Sequence, residues 1–157
     1  MGGHRIPEGV EPVGVRIVAL AAEAAILSVV VRVSLRLAGT GATLRRADRF
    51  VAAAAIHRDN DVEHRQLREI PRAVRAVGSR RPLRFTCLPR SIVTWAMLRR
   101  RGIPVDLRIG VGGSSREFAS HAWVEIAGLP IGEELDDVRA FRPLPADGIL
   151  ALGRKRA

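Results

Sequence analysis

The 157-residue sequence holds one cysteine, Cys87, one lysine, Lys155, no tyrosine, and only 4% aromatic residues. A single thiol excludes an internal disulfide framework and any multi-cysteine zinc or iron–sulfur site within one chain. Cys87 is therefore either a small apolar packing residue or a nucleophile. With so few aromatics, stacking platforms for single-stranded nucleic acid are scarce. Of the 26 basic residues, 25 are arginine, a bias that reflects high-GC coding. The net charge of +10 is thus a weak pointer to nucleic acid, and a solvated basic surface, or one facing an acidic peptide, fits better. Most of the asymmetry lies between Arg80 and Arg116, where nine arginines face one acid, Asp106.

A secretory signal is also lacking, since Met1 to Val15 has no apolar core; a cytoplasmic protein is expected. The most hydrophobic stretch, Ile17 to Ala38, is interrupted by Glu23, Arg32 and Arg36. Its longest uncharged run, Ala24 to Val31, falls short of the ~20 apolar residues of a bilayer span. It reads as a core helix, with membrane association disfavoured. The length and the 47% hydrophobic fraction suit one globular unit and exclude a disordered chain.

Three regions follow. Residues 1–15 are a Gly- and Pro-rich lead-in. Residues 16–79 are helical: Arg16 to Leu37, ended by Gly39-Thr40-Gly41; a second helix capped by Thr43 and running through Ile56; a break at Asp59-Asn60-Asp61; and Val62 to Val77, kinked or restarted at Pro71 and stopped by Gly78. Residues 80–157 change character. A basic connector, Arg80 to Thr86, leads to a helix over Leu88 to Arg101 that ends at Gly102. A period-two strand then carries Val105, Leu107, Ile109 and Val111. After the loop Gly112 to Ser115, a strand over Phe118 to Ile126 turns at Ala127-Gly128 into Leu129 to Ile131. Helices followed by an antiparallel sheet predict an α+β fold with segregated layers.

The chemistry centres on Cys87, just before the Leu88 helix. The positive end of the helix dipole and free backbone N–H groups favour the thiolate, and the same N–H groups suit an oxyanion. His121 lies in the strand Ser120 to Ile126, where alternation puts His121, Trp123 and Glu125 on one face and Ala122, Val124 and Ile126 on the core face. A strand histidine facing the start of a cysteine-bearing helix is the arrangement of thiol hydrolases. Such a pair needs an acid to orient the imidazole. A two-residue turn at Ala127-Gly128 sets Glu134 opposite His121; a three-residue turn sets Glu133 there. Asp136 and Asp137 extend the same acidic run. No phosphate-binding loop is present, because Gly110-Val111-Gly112-Gly113 opens no helix.

The runs Cys87-Leu88-Pro89-Arg90-Ser91, Leu98-Arg99-Arg100-Arg101-Gly102-Ile103-Pro104, Leu107-Arg108-Ile109-Gly110-Val111 and His121-Ala122-Trp123-Val124-Glu125 closely resemble the transglutaminase-like cysteine protease of lasso-peptide biosynthesis. That protein is the leader-peptidase half of the split B protein, related to the C-terminal domain of the fused microcin-maturation protease. The resemblance is specific from about Leu83 to Glu133 and loose over the helical front. It implies a papain-like core, a cysteine-bearing helix against a small antiparallel sheet, with the helical region packed on it.

It also implies leader removal from a lasso precursor peptide, presented by a separate leader-recognition protein, with an asparagine-synthetase-like cyclase closing the ring afterwards. Residue by residue, Cys87 is then the nucleophile and His121 the base and acid. The family's acid stands twelve residues after the histidine and is usually Asp; here that position is Glu133, with Glu134 and Asp136 as alternatives. The N–H of Cys87 is one oxyanion donor, and Trp123 is a candidate wall of the cleft. No metal or nucleotide cofactor is required. Competing readings are another transglutaminase-like hydrolase or acyltransferase on the same residues, a non-catalytic peptide- or partner-binding module, and a basic nucleic-acid binder.

Overall fold

A computed structural model describes residues 13–52, 60–79, 86–112 and 119–145 of the chain. Residues 1–12 of the lead-in, the end of the second helix through Ile56, the connector over 80–85, the loop over 113–118 and residues 146–157 lie outside the described residues; residues 13–15, expected in the lead-in, are helical. Helix α1 spans Val13–Ala52, α2 Asn60–Gly78, α3 Cys87–Arg100 and α4 Leu135–Arg139. Strands β1 (Asp106–Gly112), β2 (Ala119–Ile126), β3 (Leu129–Pro130) and β4 (Arg142–Pro143) form one antiparallel sheet in the order β3-β2-β1-β4. The expected α+β class is the observed one.

Helix α3 is the hub, packed between α1 and α2 on one side and β1 and β2 on the other. Its residues Ser91 to Leu98 are all buried, and Ile92, Val93, Met97 and Leu98 are fully so. Side chains of this size each contribute about 1.5–3 kcal/mol when fully buried. Ile70 and Val74 of α2 close the core from the helical side; Ala122 and Val124 of β2 close it from the sheet. The core face of β2 is therefore the one that alternation indicates. Arg101 to Ile103 end the helix tightly: the Gly102 N–H donates to the Arg99 carbonyl (2.8 Å), and Gly102 takes φ +76°, the left-handed stop that glycine adopts without steric cost.

Several boundaries differ from expectation. The two front helices are two arms of α1, meeting at Gly39, whose φ of 75° and ψ of 176° are not helical. Thr43 does not cap the second arm. Its hydroxyl donates back to the Gly39 carbonyl (2.8 Å) and shares a hydrogen bond with Ser34 Oγ (2.9 Å). Asn60 and Asp61 belong to α2 rather than to a break, and α2 runs on through Pro71. Gly112 ends β1 instead of opening a loop, and β3 stops at Pro130.

Helix α1 also departs from the expected core helix. It is long and apolar enough to cross a membrane by length and composition, contrary to the count of uncharged residues, and 22% of its most apolar 18-residue window is buried. Leu20, Ala24, Ser28 and Val31 are buried, while Ile26, Val30, Val33 and Leu37 are exposed.

The basic stretch is less of a free surface than its composition suggests. Arg90 pairs with Glu133, Arg100 and Arg101 with Glu23, and Arg108 with Glu125. Arg90, Arg100 and Arg101 thereby join elements distant in sequence, and Arg108 joins the neighbouring strands β1 and β2.

Candidate active site

Cys87 is the first residue of α3 rather than the residue before it; Thr86, extended at φ −79° and ψ 173°, is the N-cap and makes no side-chain capping bond. No acid stands in the first turn of α3, so the partial positive charge there is uncompensated within the helix. Pro89 sits in that first turn, where a missing N–H costs little. Cys87 is a half-buried free thiol that packs against the hydrophobic core.

Two residues further along α3 tie it to β2. The buried Ser91 hydroxyl donates to the carbonyl of Ala122 (2.7 Å), next to His121. Arg90 reaches Glu133, its Nη2 lying 2.8 Å from Oε1. Cys87, Arg90 and Ser91 share one helix face by their i, i+3, i+4 spacing. Both anchors hold the start of α3 toward the His121 strand, with Cys87 about 6 Å of helix rise before Ser91.

The imidazole of His121 is held on three sides. Nε2 lies 2.6 Å from Oε2 of Glu133. The Trp123 ring is stacked at 6.1 Å between centroids, and the Phe141 ring lies at 5.1 Å, tilted by 35°. The side chains of His121 and Glu133 are 18% and 12% exposed, so their contact is shielded from bulk water. An ionised carboxylate only accepts, so Nε2 carries the proton and the lone pair of the neutral ring lies on Nδ1. Nδ1 is thus the atom left to act as base. Among the described residues the Cys87 thiol makes no hydrogen bond, to His121 or any other group.

The choice of Glu133 over Glu134 follows from a break in the ladder. The turn is the two-residue form: Ala127 and Gly128 take φ of 49° and 81°, and Ile126 pairs with Leu129. Continued regularly, that register would set Glu134 opposite His121. The ladder continues to Ile131, whose N–H donates to the Val124 carbonyl (2.8 Å). Gly132 then takes φ +73°, which ends the alternation and swings Glu133 onto the histidine. Glycine is required twice at this point, since a Cβ would also stand 2.8 Å from the Cβ of Pro71. Arg75 of α2 donates to the Gly132 carbonyl. The acid is therefore placed by α2 and α3 as much as by the hairpin.

Glycines of β1 clear space over the histidine face. Gly110 pairs with His121 across the strands, and a Cβ on it would lie 2.9 Å from the Trp123 ring. Trp123 is buried and donates from Nε1 to Glu125 (3.2 Å); it packs under the site and is not part of the cleft wall. The cleft at His121 encloses about 480 Å³ and is lined by Arg75, Arg90, Glu133, Glu134, Asp137 and Phe141. Cys87 is not among the residues lining it. Asp136 pairs with Arg139 (3.3 Å) at the surface, away from His121.

Arg90, Arg75 and Phe141 were not identified from sequence. Arg90 stands within the Cys87 to Ser91 run, three residues after the cysteine, and that spacing alone puts it on the cysteine's face of α3. Phe141 carried no pattern signal, because its approach depends on the glycines opposite.

A family model described as the transglutaminase-like superfamily matches residues 27–146. The chain belongs to this superfamily, a fold associated with cysteine-protease-like and acyltransferase-like activity. No curated protein and no solved structure matches the chain.

Proposed function

We propose that this chain is a cysteine peptidase that removes the leader from a lasso-peptide precursor, with Cys87, His121 and Glu133 as its catalytic residues. The observation that carries the reading is the imidazole of His121, fixed through Nε2 by Glu133 and linked through Glu133 and Arg90 to the α3 turn that begins with the only thiol of the chain.

In this mechanism Nδ1 of His121 takes the Sγ proton, and the thiolate attacks the carbonyl carbon of the leader–core bond. The N–H of Cys87, unpaired within the helix, donates to the oxyanion. On collapse the C–N bond breaks, and Nδ1–H protonates the departing amine of the core. Water, deprotonated by the same nitrogen, then hydrolyses the thioester and restores the thiol. Glu133 holds the ring tautomer and stabilises the imidazolium through both steps. Arg90 acts through Glu133 as a positioning residue. The chemistry draws only on side chains and backbone of the chain.

The precursor, a leader-recognition protein and the asparagine-synthetase-like cyclase are the partners this reading assigns. The test is incubation with a lasso precursor peptide, with and without the recognition protein, followed by mass spectrometry. Cleavage at the leader–core junction that depends on the recognition protein supports the reading. Incorporation of an added amine in place of hydrolysis supports acyl transfer instead, and no reaction of either kind overturns both.

A further inference from the structure

Helix α1 buries one side and leaves a second apolar side uncovered. Val15, Val18, Ile26, Val30, Val33 and Leu37 are exposed, Leu37 to 83%, and recur at helical spacing, a stripe about 33 Å long at 1.5 Å per residue. After Gly39 the chain folds back on itself. Arg46 reaches Ser34 Oγ at 3.4 Å and Thr43 reaches it at 2.9 Å, although a straight helix would separate these pairs by about 18 and 13 Å. The two arms of α1 therefore lie side by side, with a groove between them of about 970 Å³. Ile26, Val30, Val33 and Leu37 line it from the first arm and Phe50 from the second.

The borders of the groove are basic. Arg46 and Arg100 line it, Arg100 lying 4.6 Å over the Phe50 ring. The acid within it, Glu23, is already engaged by Arg100 and Arg101. Arg36, Arg45 and Arg49 are exposed on the same two arms, outside the groove lining, and make no ion pair among the described residues; Asp48 is the one exposed acid on the second arm.

We infer that this groove is a docking site for an amphipathic helix of a partner protein, one whose apolar stripe is flanked by Glu or Asp. Two parallel ridges with a trough between them accept a third helix through interleaved side chains. A flat bilayer surface would leave the trough unfilled and lose those contacts. A second copy of this chain would bring two arginine-bordered faces together, and like charges at an interface are disfavoured. An acidic helix fills the trough and offsets the arginines at once. This inference does not depend on the catalytic reading.

The experiment uses the full chain and two labelled, monomeric fifteen-residue helical peptides. Both carry leucines at i, i+3, i+4, i+7 spacing, one with glutamate and the other with lysine at the flanks. Binding is followed by fluorescence anisotropy. The glutamate peptide is expected to bind at least tenfold more tightly than the lysine peptide. Val33→Asp, at an exposed position, should weaken it at least tenfold with an unchanged melting temperature, and Arg46→Glu should reduce the preference between the peptides. Equal binding of both peptides, or binding of neither, overturns the inference. So does retention on phosphatidylglycerol vesicles without peptide binding, or a dimer in sedimentation that Val33→Asp abolishes.

Discussion

Glu133 bridges His121 and Arg90: one carboxylate oxygen lies 2.6 Å from Nε2 of the imidazole, the other 2.8 Å from Nη2 of the guanidinium. A glutamate has three side-chain torsions to fix, and two hydrogen-bond donors on two different elements fix them together. The partners come from α3 and β2, so the bridge also registers the cysteine-bearing helix on the histidine strand.

Removing Arg90 should therefore loosen the acid without removing it. Hydrogen bonds to charged groups contribute about 1.5–3 kcal/mol, which corresponds to a tenfold or larger loss of kcat in Arg90→Met, with KM little changed. Arg90→Lys, a point charge of shorter reach, should recover part of the rate. The check is steady-state kinetics across pH. A role confined to stability would lower the melting temperature while leaving kcat and the pH profile of the folded enzyme unmoved.

The neighbouring glutamates separate cleanly. Glu133→Gln should reduce kcat by about 10²–10⁴-fold, the range over which general acid–base machinery contributes. Glu134→Ala should leave kcat essentially unchanged, because Glu134 lines the cleft without touching His121. The reverse order of effects would move the acid one residue along the chain.

Gly132→Ala should destabilise the fold by about 2–4 kcal/mol, combining the cost of a Cβ at positive φ with overpacking against Pro71. Where the variant remains folded, kcat should fall as well, since Gly132 turns Glu133 onto the histidine. Chemical denaturation and kinetics on the same sample check both parts.

Ala127 is a non-glycine residue at φ +49°. Relief of about 1–2 kcal/mol of left-handed strain, less about 0.4–1 kcal/mol of added freedom in the unfolded chain, leaves Ala127→Gly about 0.5–1 kcal/mol more stable. The expected rise in melting temperature is about 1–4 °C, with catalysis unaffected.

Periodicity made much of this fold legible. The α3 stripe, the alternation of β1 and β2, and the core face of Ala122 and Val124 follow from sequence because each buries one face at a fixed repeat. Gly39 was readable as an interruption, but not as the fold-back that sets two arms of α1 side by side, which depends on tertiary packing. The alternatives of Glu133 and Glu134 could not be separated by strand register, because the deciding event is the positive φ at Gly132, imposed by contact with Pro71 and Arg75 of α2. The uncovered side of α1 was hidden for a different reason: a helix apolar all round shows which residues are oily, not which side is covered.

The central claim rests on the thiol at the start of α3. Its most direct test is the rate of leader removal from the precursor, with the recognition protein present, by the wild-type chain and by Cys87→Ala, followed by mass spectrometry alongside thermal melting. Cys87→Ala is expected to show no cleavage while remaining folded. Cleavage by Cys87→Ala at the wild-type rate would contradict the claim.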